Sequence, residues 1–305
     1  MARKPKGRAV SGWLNFDKPV GQTSTEAVAS VKRLFAAARV GHAGTLDPLA
    51  SGVLPIALGE ATRTVPFVQD GRKVYRFTVR WGVETDTDDA EGPPGKTSVV
   101  RPTAEAVRAL LPAFTGEIMQ RPPAFSAVKV AGERAYDLAR GGAPVVLDER
   151  PVVIHSLVLA DMPDADHAVL EAECGKGTYV RALARDLGRR LGCFAHVTAL
   201  RRLTVGAFDQ TTLVSHEALI GAREAGDALS LDRFLRPIGF ALSDLPEIAI
   251  NASDAARIVR GQSVLVRGRD APVLTGPAWA SHAGEAVAVG EIGEGAFHPR
   301  RVFRV

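Results

Sequence analysis

The chain has 305 residues, 46% hydrophobic and 24% charged, ordinary for a soluble globular protein and long enough for one large domain plus a small one. No apolar run approaches the ~18 residues that cross a bilayer, and the basic start MARKPKGRAV has no apolar stretch behind it, so it does not read as a secretory signal. Two cysteines, Cys174 and Cys193, make neither a disulfide framework nor a zinc site and fit a reducing cytoplasm.

Net charge is only +4, but it is unevenly spread. Arg3, Lys4, Lys6 and Arg8 crowd the start. Arg181, Arg185, Arg189, Arg190, Arg201 and Arg202 face Asp186 alone over 181–202. Arg257, Arg260, Arg267 and Arg269 follow over 257–269. Each cluster reads by itself as solvated surface. Together they favour RNA or DNA, because every phosphate neutralised releases counterions.

In chain order, Trp13–Phe16 reads as a short strand ending at Asp17-Lys18-Pro19. Thr23 and Glu26 are spaced as a capping box for a helix with Val28, Val31, Leu34 and Phe35 on one face. The glycine- and proline-rich run GHAGTLDPLASGVLPIALG predicts loop and short strand. From Lys73 to Val83, Tyr75, Phe77, Val79, Trp81 and Val83 alternate with polar residues, as in a half-buried strand. Residues 84–98 read as an exposed loop whose acids, Asp86, Asp88 and Asp89, are solvated. A helix is expected over 103–111, and another over Glu133–Arg140 with Gly141-Gly142 as its C-cap. Strands follow over 144–160 and 167–174, then an amphipathic helix over 178–191 and a strand from His196 to Val205. Residues 209–240 read as helical and linker-like. Beyond 245 a short helix at Ala252–Arg260, stopped by Gly261, precedes short strands near 263–267, 286–292 and 301–305. Without a strict βαβ rhythm the pattern predicts an α+β fold, a mixed and largely antiparallel sheet flanked by helices, followed by a small β-rich module. The expected division is a basic tail over 1–10, a large domain over 11–240 and the small module over 245–305.

Gly95-Lys96-Thr97 imitates the end of a phosphate-binding loop, but the full pattern needs a glycine where Ala90 stands. There is no G-x-G-x-x-G after a strand and no H-E-x-x-H, and the seven histidines show no metal spacing. The expectation is therefore an activity without metal or other cofactor. The segment Gly41-His42-Ala43-Gly44-Thr45-Leu46-Asp47-Pro48-Leu49-Ala50-Ser51-Gly52 stands out chemically. Its glycines permit tight turns and close approach of a ligand, and Pro48 biases Asp47 toward an extended backbone. An acid is thereby held on a stiff loop beside Leu46, Leu49 and Val53. Spacing alone allows either a functional carboxylate or an Asp that caps a turn.

GHAGTLDPLASGVLPIALGEATR resembles the catalytic motif of the TruB family of pseudouridine synthases. The resemblance continues through LNFDKPVGQTS (14–24), KVYRFTVRWGVETDTDDAEG (73–92), RPPAFSAVKVAGERAYDLARGG (121–142), GTYVRALARDLG (177–188) and CFAHVTALRRLTVGAF (193–208). The C-terminal part resembles that family's PUA RNA-binding module. The resemblance implies isomerisation of a uridine in the T-loop of tRNA (position 55) to pseudouridine, without cofactor. The short basic start favours a stand-alone enzyme, the cysteine usage a cytoplasmic one, and no hydrophobic heptads argue for assembly, so a monomer is expected. The resemblance also implies that Asp47 is the catalytic carboxylate, that Tyr75 stacks on the target base and that Arg181 pairs with the carboxylate. Tyr179 and Leu200 match pocket-wall positions, His42 matches the histidine that fills the space left by the flipped nucleotide, and Lys18 matches a lysine that supports the pocket. For Tyr75 the residues alone also allow a core aromatic, and for His42 a loop histidine bonded to backbone. Two other readings use the same features: an RNA-binding or tRNA-folding protein acting independently of catalysis, and a guide-RNA-dependent synthase of ribosomal RNA. The route at the sugar, by attack of the carboxylate or by elimination, stays open.

Overall fold

The fold was obtained as a computed structural model, which describes residues 7–126, 128–130, 133–141, 145, 147–226, 228–266 and 275–304. The chain begins with β1 (Gly12–Lys18), α1 (Ser24–Leu34), β2 (Val40–His42), β3 (Ala50–Leu58), α2 (Val65–Asp70), β4 (Lys73–Trp81), β5 (Val83–Thr85) and β6 (Pro94–Thr97). It continues with α3 (Ala104–Leu110), β7 (Gly116–Gln120), β8 (Lys129–Val130), β9 (Glu133–Arg134), α4 (Ala135–Arg140), β10 (Arg150–Asp164), β11 (His167–Cys174), α5 (Val180–Arg190) and β12 (Ala195–Val205). The remainder is α6 (His216–Glu224), β13 (Glu247–Ala249), α7 (Ala252–Val259), β14 (Val264–Leu265), β15 (Gly276–His282), β16 (Glu285–Gly293) and β17 (Ala296–Val302).

An eight-stranded sheet, ordered β1-β3-β12-β4-β11-β10-β7 with β2 on β3, carries the molecule. Only β12 and β3 run parallel in it, over Leu200–Arg202 against Ala50–Gly52. The architecture is the expected mixed, largely antiparallel α+β sheet with a β-rich C-terminal unit. The capping box forms as predicted: Glu26 N donates to Thr23 Oγ1 at 3.1 Å, and Thr23 N donates to Glu26 Oε2 at 2.8 Å.

β3 is longer than the expected loop and short strand. Leu54, Ile56 and Leu58 enter the core under α1, α3, α5 and α6, while Val53 and Ala57 pack with Trp13, Val205, Phe208 and Trp279 on the opposite face. A strand buried on both faces loses the alternation that identifies strands in sequence. Pro55, opposite Asn15 of β1, falls between the residues that pair with β12 and those that pair with β2, so its missing N–H is not called on, while its carbonyl accepts from Ala43 N at 2.9 Å.

Residues 84–98 are not an exposed acidic loop. They form the β5–β6 hairpin, and Glu84, Asp88 and Asp89 are buried, whereas Asp86 is exposed. Nor is 209–240 a linker. Its backbone bonds to the edge of β1 through Asp17 N to Val214 O (2.9 Å) and Arg236 N to Trp13 O (2.7 Å), which covers an open strand edge. Besides the β5–β6 hairpin, the strands β7, β8, β9, β13 and β15 were absent from the expected set. The predicted strand from 144 starts at Arg150, and Gly142 of the predicted C-cap lies outside the described residues.

The C-terminal unit has its own five-stranded sheet, β13-β15-β16-β17-β14, and its own core around Ile258, Ala278, Ala288 and Phe297. It packs on the large sheet through Trp279, Val289 and Phe303. Arg301 Nη1 donates to Arg63 O at 2.9 Å and Arg63 Nη1 to Val302 O at 3.2 Å, so the contact is tied from both sides. Among the described residues no helix is long and apolar enough to cross a membrane.

Candidate active site

Residues 43–49 form the turn between β2 and β3. The Ser24 hydroxyl at the start of α1 accepts from Leu46 N at 2.9 Å and donates to Leu46 O at 3.0 Å. Gly21 N donates to Pro48 O at 2.8 Å, and the fully buried Lys18 gives its ammonium protons to Pro19 O (2.8 Å) and Gln22 O (2.5 Å), with Pro48 O at 3.4 Å. Burial pulls the Lys18 ammonium down to about 8, against the pull of the Asp47 charge. A strand end, a helix start and a buried cation thus over-determine the turn that carries Asp47.

A cavity of about 290 Å³ opens above this turn. Leu46, Asp47, Tyr75, Ser126, Tyr179 and Arg181 line it, with Leu200 and Arg202 from β12. Five of the seven expected site residues therefore share one cavity: Asp47, Tyr75, Tyr179, Arg181 and Leu200. Lys18 lies beneath it without lining it. His42 is on β2, opposite Ile56, and does not line it either; burial, and then the Arg202 charge, pull its imidazole below the usual range.

Arg181 is 5% exposed, and its Nε lies 2.9 Å from Asp47 Oδ2, whose side chain is 36% exposed. The expected pairing is made through Nε alone and not by a two-pronged grip on the carboxylate. Nη1 donates to Thr87 O and Nη2 to Phe125 O, both at 2.8 Å, and Nη1 also lies 3.4 Å from Asp89 Oδ2. The fork holds backbone on two sides and turns its remaining edge toward Asp47. The N–H at that edge is not aligned for a hydrogen bond, so the contact is an ion pair. Asp47 keeps lone pairs for a ligand.

Tyr75 projects from β4 into the cavity, and burial raises its phenol above the usual range, opposed by Arg202. Tyr179 sits at the N-terminus of α5 with its backbone clasped by the Gln120 side chain: Tyr179 N donates to Oε1 at 2.8 Å and Nε2 donates to Tyr179 O at 3.1 Å. Its phenol is also raised by burial.

Arg202 and Asp89 are the residues that sequence reasoning missed. Arg202 was counted in a basic cluster suited to polyanions, yet it is 1% exposed. Its Nε donates to Val53 O at 2.8 Å and its Nη2 to Gly44 O at 3.0 Å, on the two flanks of the Asp47 turn. Its charge also opposes the rise that burial causes in the Tyr75 phenol. Gly44 in the turn and Gly52 on β3 serve the packing of Arg202. Gly52 has φ +97°, and a Cβ there would stand 2.3 Å from Arg202 O, so the close approach is made by β12 rather than by a ligand.

Half of the 181–202 cluster, Arg181, Arg185 and Arg202, is buried, whereas Arg189 and Arg190 are exposed. Arg189 pairs with Glu84 at 2.6 Å, and Arg201 pairs with Asp17 at 3.1 Å. The buried acids of the β5–β6 hairpin are the counter-ions of Arg181, Arg185 and Arg189, which is why those acids are not solvated. Of the other clusters, Arg3, Lys4, Lys6, Arg267 and Arg269 lie outside the described residues, and Arg8 pairs with Asp232 at 2.6 Å.

The site is an acid and a guanidinium at a cavity walled by two tyrosines and a leucine, on a mixed eight-stranded sheet, and the known proteins that the chain resembles are pseudouridine synthases. The family described as TruB family pseudouridylate synthase (N-terminal domain) matches residues 32–180, and the tRNA pseudouridylate synthase B C-terminal domain matches 181–243. The tRNA pseudouridine synthase B of Nitrobacter winogradskyi is 60% identical over 301 residues, covering 98% of this chain and 84% of that protein. That of Agrobacterium fabrum is 56% identical over 305 residues, covering 99% and 97%. Among solved structures, a Cbf5-Nop10-Gar1 complex superposes with a TM-score of 0.73 at 25% identity, covering 96% of this chain and 84% of the matched one. The chain belongs to the TruB family of pseudouridine synthases.

Proposed function

We propose that the chain isomerises a uridine in the T-loop of tRNA, position 55, to pseudouridine, with Asp47 as the catalytic carboxylate. The observation that carries this reading is the Asp47–Arg181 ion pair at the cavity that Tyr75 faces. The names of the relatives support tRNA as the substrate. The reaction breaks the N1–C1′ bond, turns the base and joins C5 to C1′. Nothing is oxidised or added, so the reaction asks for no redox or metal cofactor.

The anomeric carbon becomes electron-poor as the glycosidic bond breaks, as in glycoside hydrolysis. A carboxylate beside it stabilises that charge, either by attack or by assisting loss of a neighbouring proton. A hydrolase also needs an activated water and usually a second carboxylate, whereas an isomerase needs a dry pocket that retains the detached base. Leu46, Tyr179, Val180 and Leu200 supply apolar walls of that kind. A uridine within a folded loop must leave its stack at a cost of a few kcal/mol, and stacking on Tyr75 returns roughly 1–3 kcal/mol of it. In this reading Lys18 supports the Asp47 turn from below and His42 occupies the place vacated by the extruded nucleotide. Residues 11–240 form the catalytic unit, and 245–305 form a PUA-like unit that binds RNA. The enzyme works as a cytoplasmic monomer without an accessory protein.

The test is to incubate the purified chain with an unmodified tRNA transcript, no guide RNA added, and map pseudouridine. A single T-loop site made by the wild type and not by Asp47→Asn is the expected result. No product, product elsewhere, or turnover by Asp47→Ala would overturn the reading. A transcript that changes only when a guide RNA is supplied would favour the guide-dependent class.

A further inference from the structure

α5 carries Arg181, Arg185 and Arg189 at a spacing of four, which puts them on one face of the helix. Each meets an acid of the segment that runs antiparallel beside it. Arg181 lies 3.4 Å from Asp89, Arg185 lies 3.0 Å from Asp88, and Arg189 grips Glu84 at 2.6 and 2.8 Å. The first rung belongs to the site described above. The middle rung does not line that cavity, yet Arg185 is 6% exposed and Asp88 5%. Burying two charges costs several kcal/mol per ion unless geometry and further hydrogen bonds offset it.

Arg185 uses its remaining donors on two partners. Nε and Nη2 reach the Asp186 carboxylate at 2.8 and 3.1 Å, and Nη2 donates to Arg121 O at 2.7 Å. One turn earlier on the same helix, Arg181 donates to Phe125 O. Two guanidiniums thus hold two carbonyls of the stretch Arg121-Pro122-Pro123-Ala124-Phe125-Ser126. That stretch leaves the sheet at Gln120, and Pro122 and Pro123 have no N–H to place in a ladder. Its end, Ser126, lines the cavity, and Phe125 meets Tyr136 edge to face at 5.9 Å. Asp88 is itself fixed: Val197 N donates to its carbonyl at 3.1 Å, and its φ of +60° is a left-handed conformation that a non-glycine residue holds only when its surroundings impose it.

We propose that Asp88 and Arg185 form a positioning pair that sets the 121–126 lip of the cavity and, through the shared lip, the orientation of Arg181 toward Asp47. The proposal rests on the catalytic reading above. With Asp88 ionised and in place, the Arg185 fork has one orientation in which its Nη2 meets Arg121 O. Without it the guanidinium turns toward Asp186 alone, the Arg121 end of the lip is released, and Phe125 O no longer meets Arg181 at a constant place. A displacement near 1 Å at a site of this kind costs on the order of 10²-fold in rate.

The test compares wild type with the double variant Asp88→Asn/Arg185→Gln, which removes both buried charges and leaves neither unpaired. Single-turnover pseudouridine formation is followed on a saturating tRNA transcript, beside tRNA affinity and thermal midpoint. The expected result is a rate constant lower by at least ~10-fold, with affinity within about 3-fold and the midpoint within a few degrees. Arg185→Lys, which keeps the charge and loses the fork, should fall between the two. A folded double variant with wild-type rate overturns the proposal, and so does a rate loss that only parallels a loss of native protein. Should the double variant not fold, Arg185→Lys decides on the same terms. A wild type that makes no pseudouridine overturns the catalytic reading itself.

Discussion

Replacing Arg202 by methionine tests how the Asp47 turn is held. Methionine keeps much of the buried stem but removes the guanidinium that joins Val53 O and Gly44 O. The third carbonyl contact, to Thr45 O at 3.5 Å, is long and contributes little. Each buried carbonyl that loses its donor costs about 1–3 kcal/mol. Val53 O and Gly44 O together therefore predict a loss of about 2–6 kcal/mol, a large fraction of the ~5–15 kcal/mol by which domains are stable. Urea denaturation followed by circular dichroism should show a lower midpoint with an unchanged slope, since the unfolded chain exposes nearly the same surface. Pseudouridine formation, assayed well below the transition, should fall at least ~10-fold because the turn bearing Asp47 loses its anchors on both flanks. A stability loss under ~1 kcal/mol together with wild-type turnover would refute the idea that this guanidinium organises the turn.

Arg181→Lys should lower turnover about 100-fold or more with tRNA affinity nearly unchanged, because an ammonium cannot reach Thr87 O, Phe125 O and Asp47 at once; steady-state kinetics near wild type would contradict it. Tyr75→Phe should bind tRNA normally and react more slowly, whereas Tyr75→Ala should also bind about 5- to 100-fold more weakly, the equivalent of one lost stack. Filter binding and single-turnover rates together separate these outcomes, and equal behaviour of the two variants counts against stacking. Burial pushes the Asp88 carboxyl up to about 6, opposed by Arg185, Arg181 and Arg189 from α5 and reinforced by Glu84. A raised carboxylate is protonated in the folded state while the unfolded chain has already ionised. Its contribution to stability is therefore full below about pH 4 and is lost as pH rises through about 6. Wild type should thus gain stability relative to Asp88→Asn on going from about pH 7.5 to pH 4.5, and melting curves with a pH-independent difference would exclude this titration.

Local order was largely legible in the chain itself. Thr23 and Glu26 announced the start of α1 because a capping box is satisfied within four residues. β4 was visible because one of its faces is half-open, so polar and apolar residues alternate. The loop around Asp47 was conspicuous because its glycines and proline restrict the backbone whatever surrounds them, and five of seven expected site residues meet in one cavity. Pairings across the sheet were not legible. Arg181, Arg185 and Arg202 look in sequence like a basic surface, and Asp88 and Asp89 look like a solvated loop, since each lies far along the chain from its partners. Whether a charge is solvated or buried depends on the groups that desolvate and neutralise it. For these residues those groups arrive from distant strands and from α5, so only the assembled sheet and helix decided between an RNA-facing patch and an internal scaffold for the site.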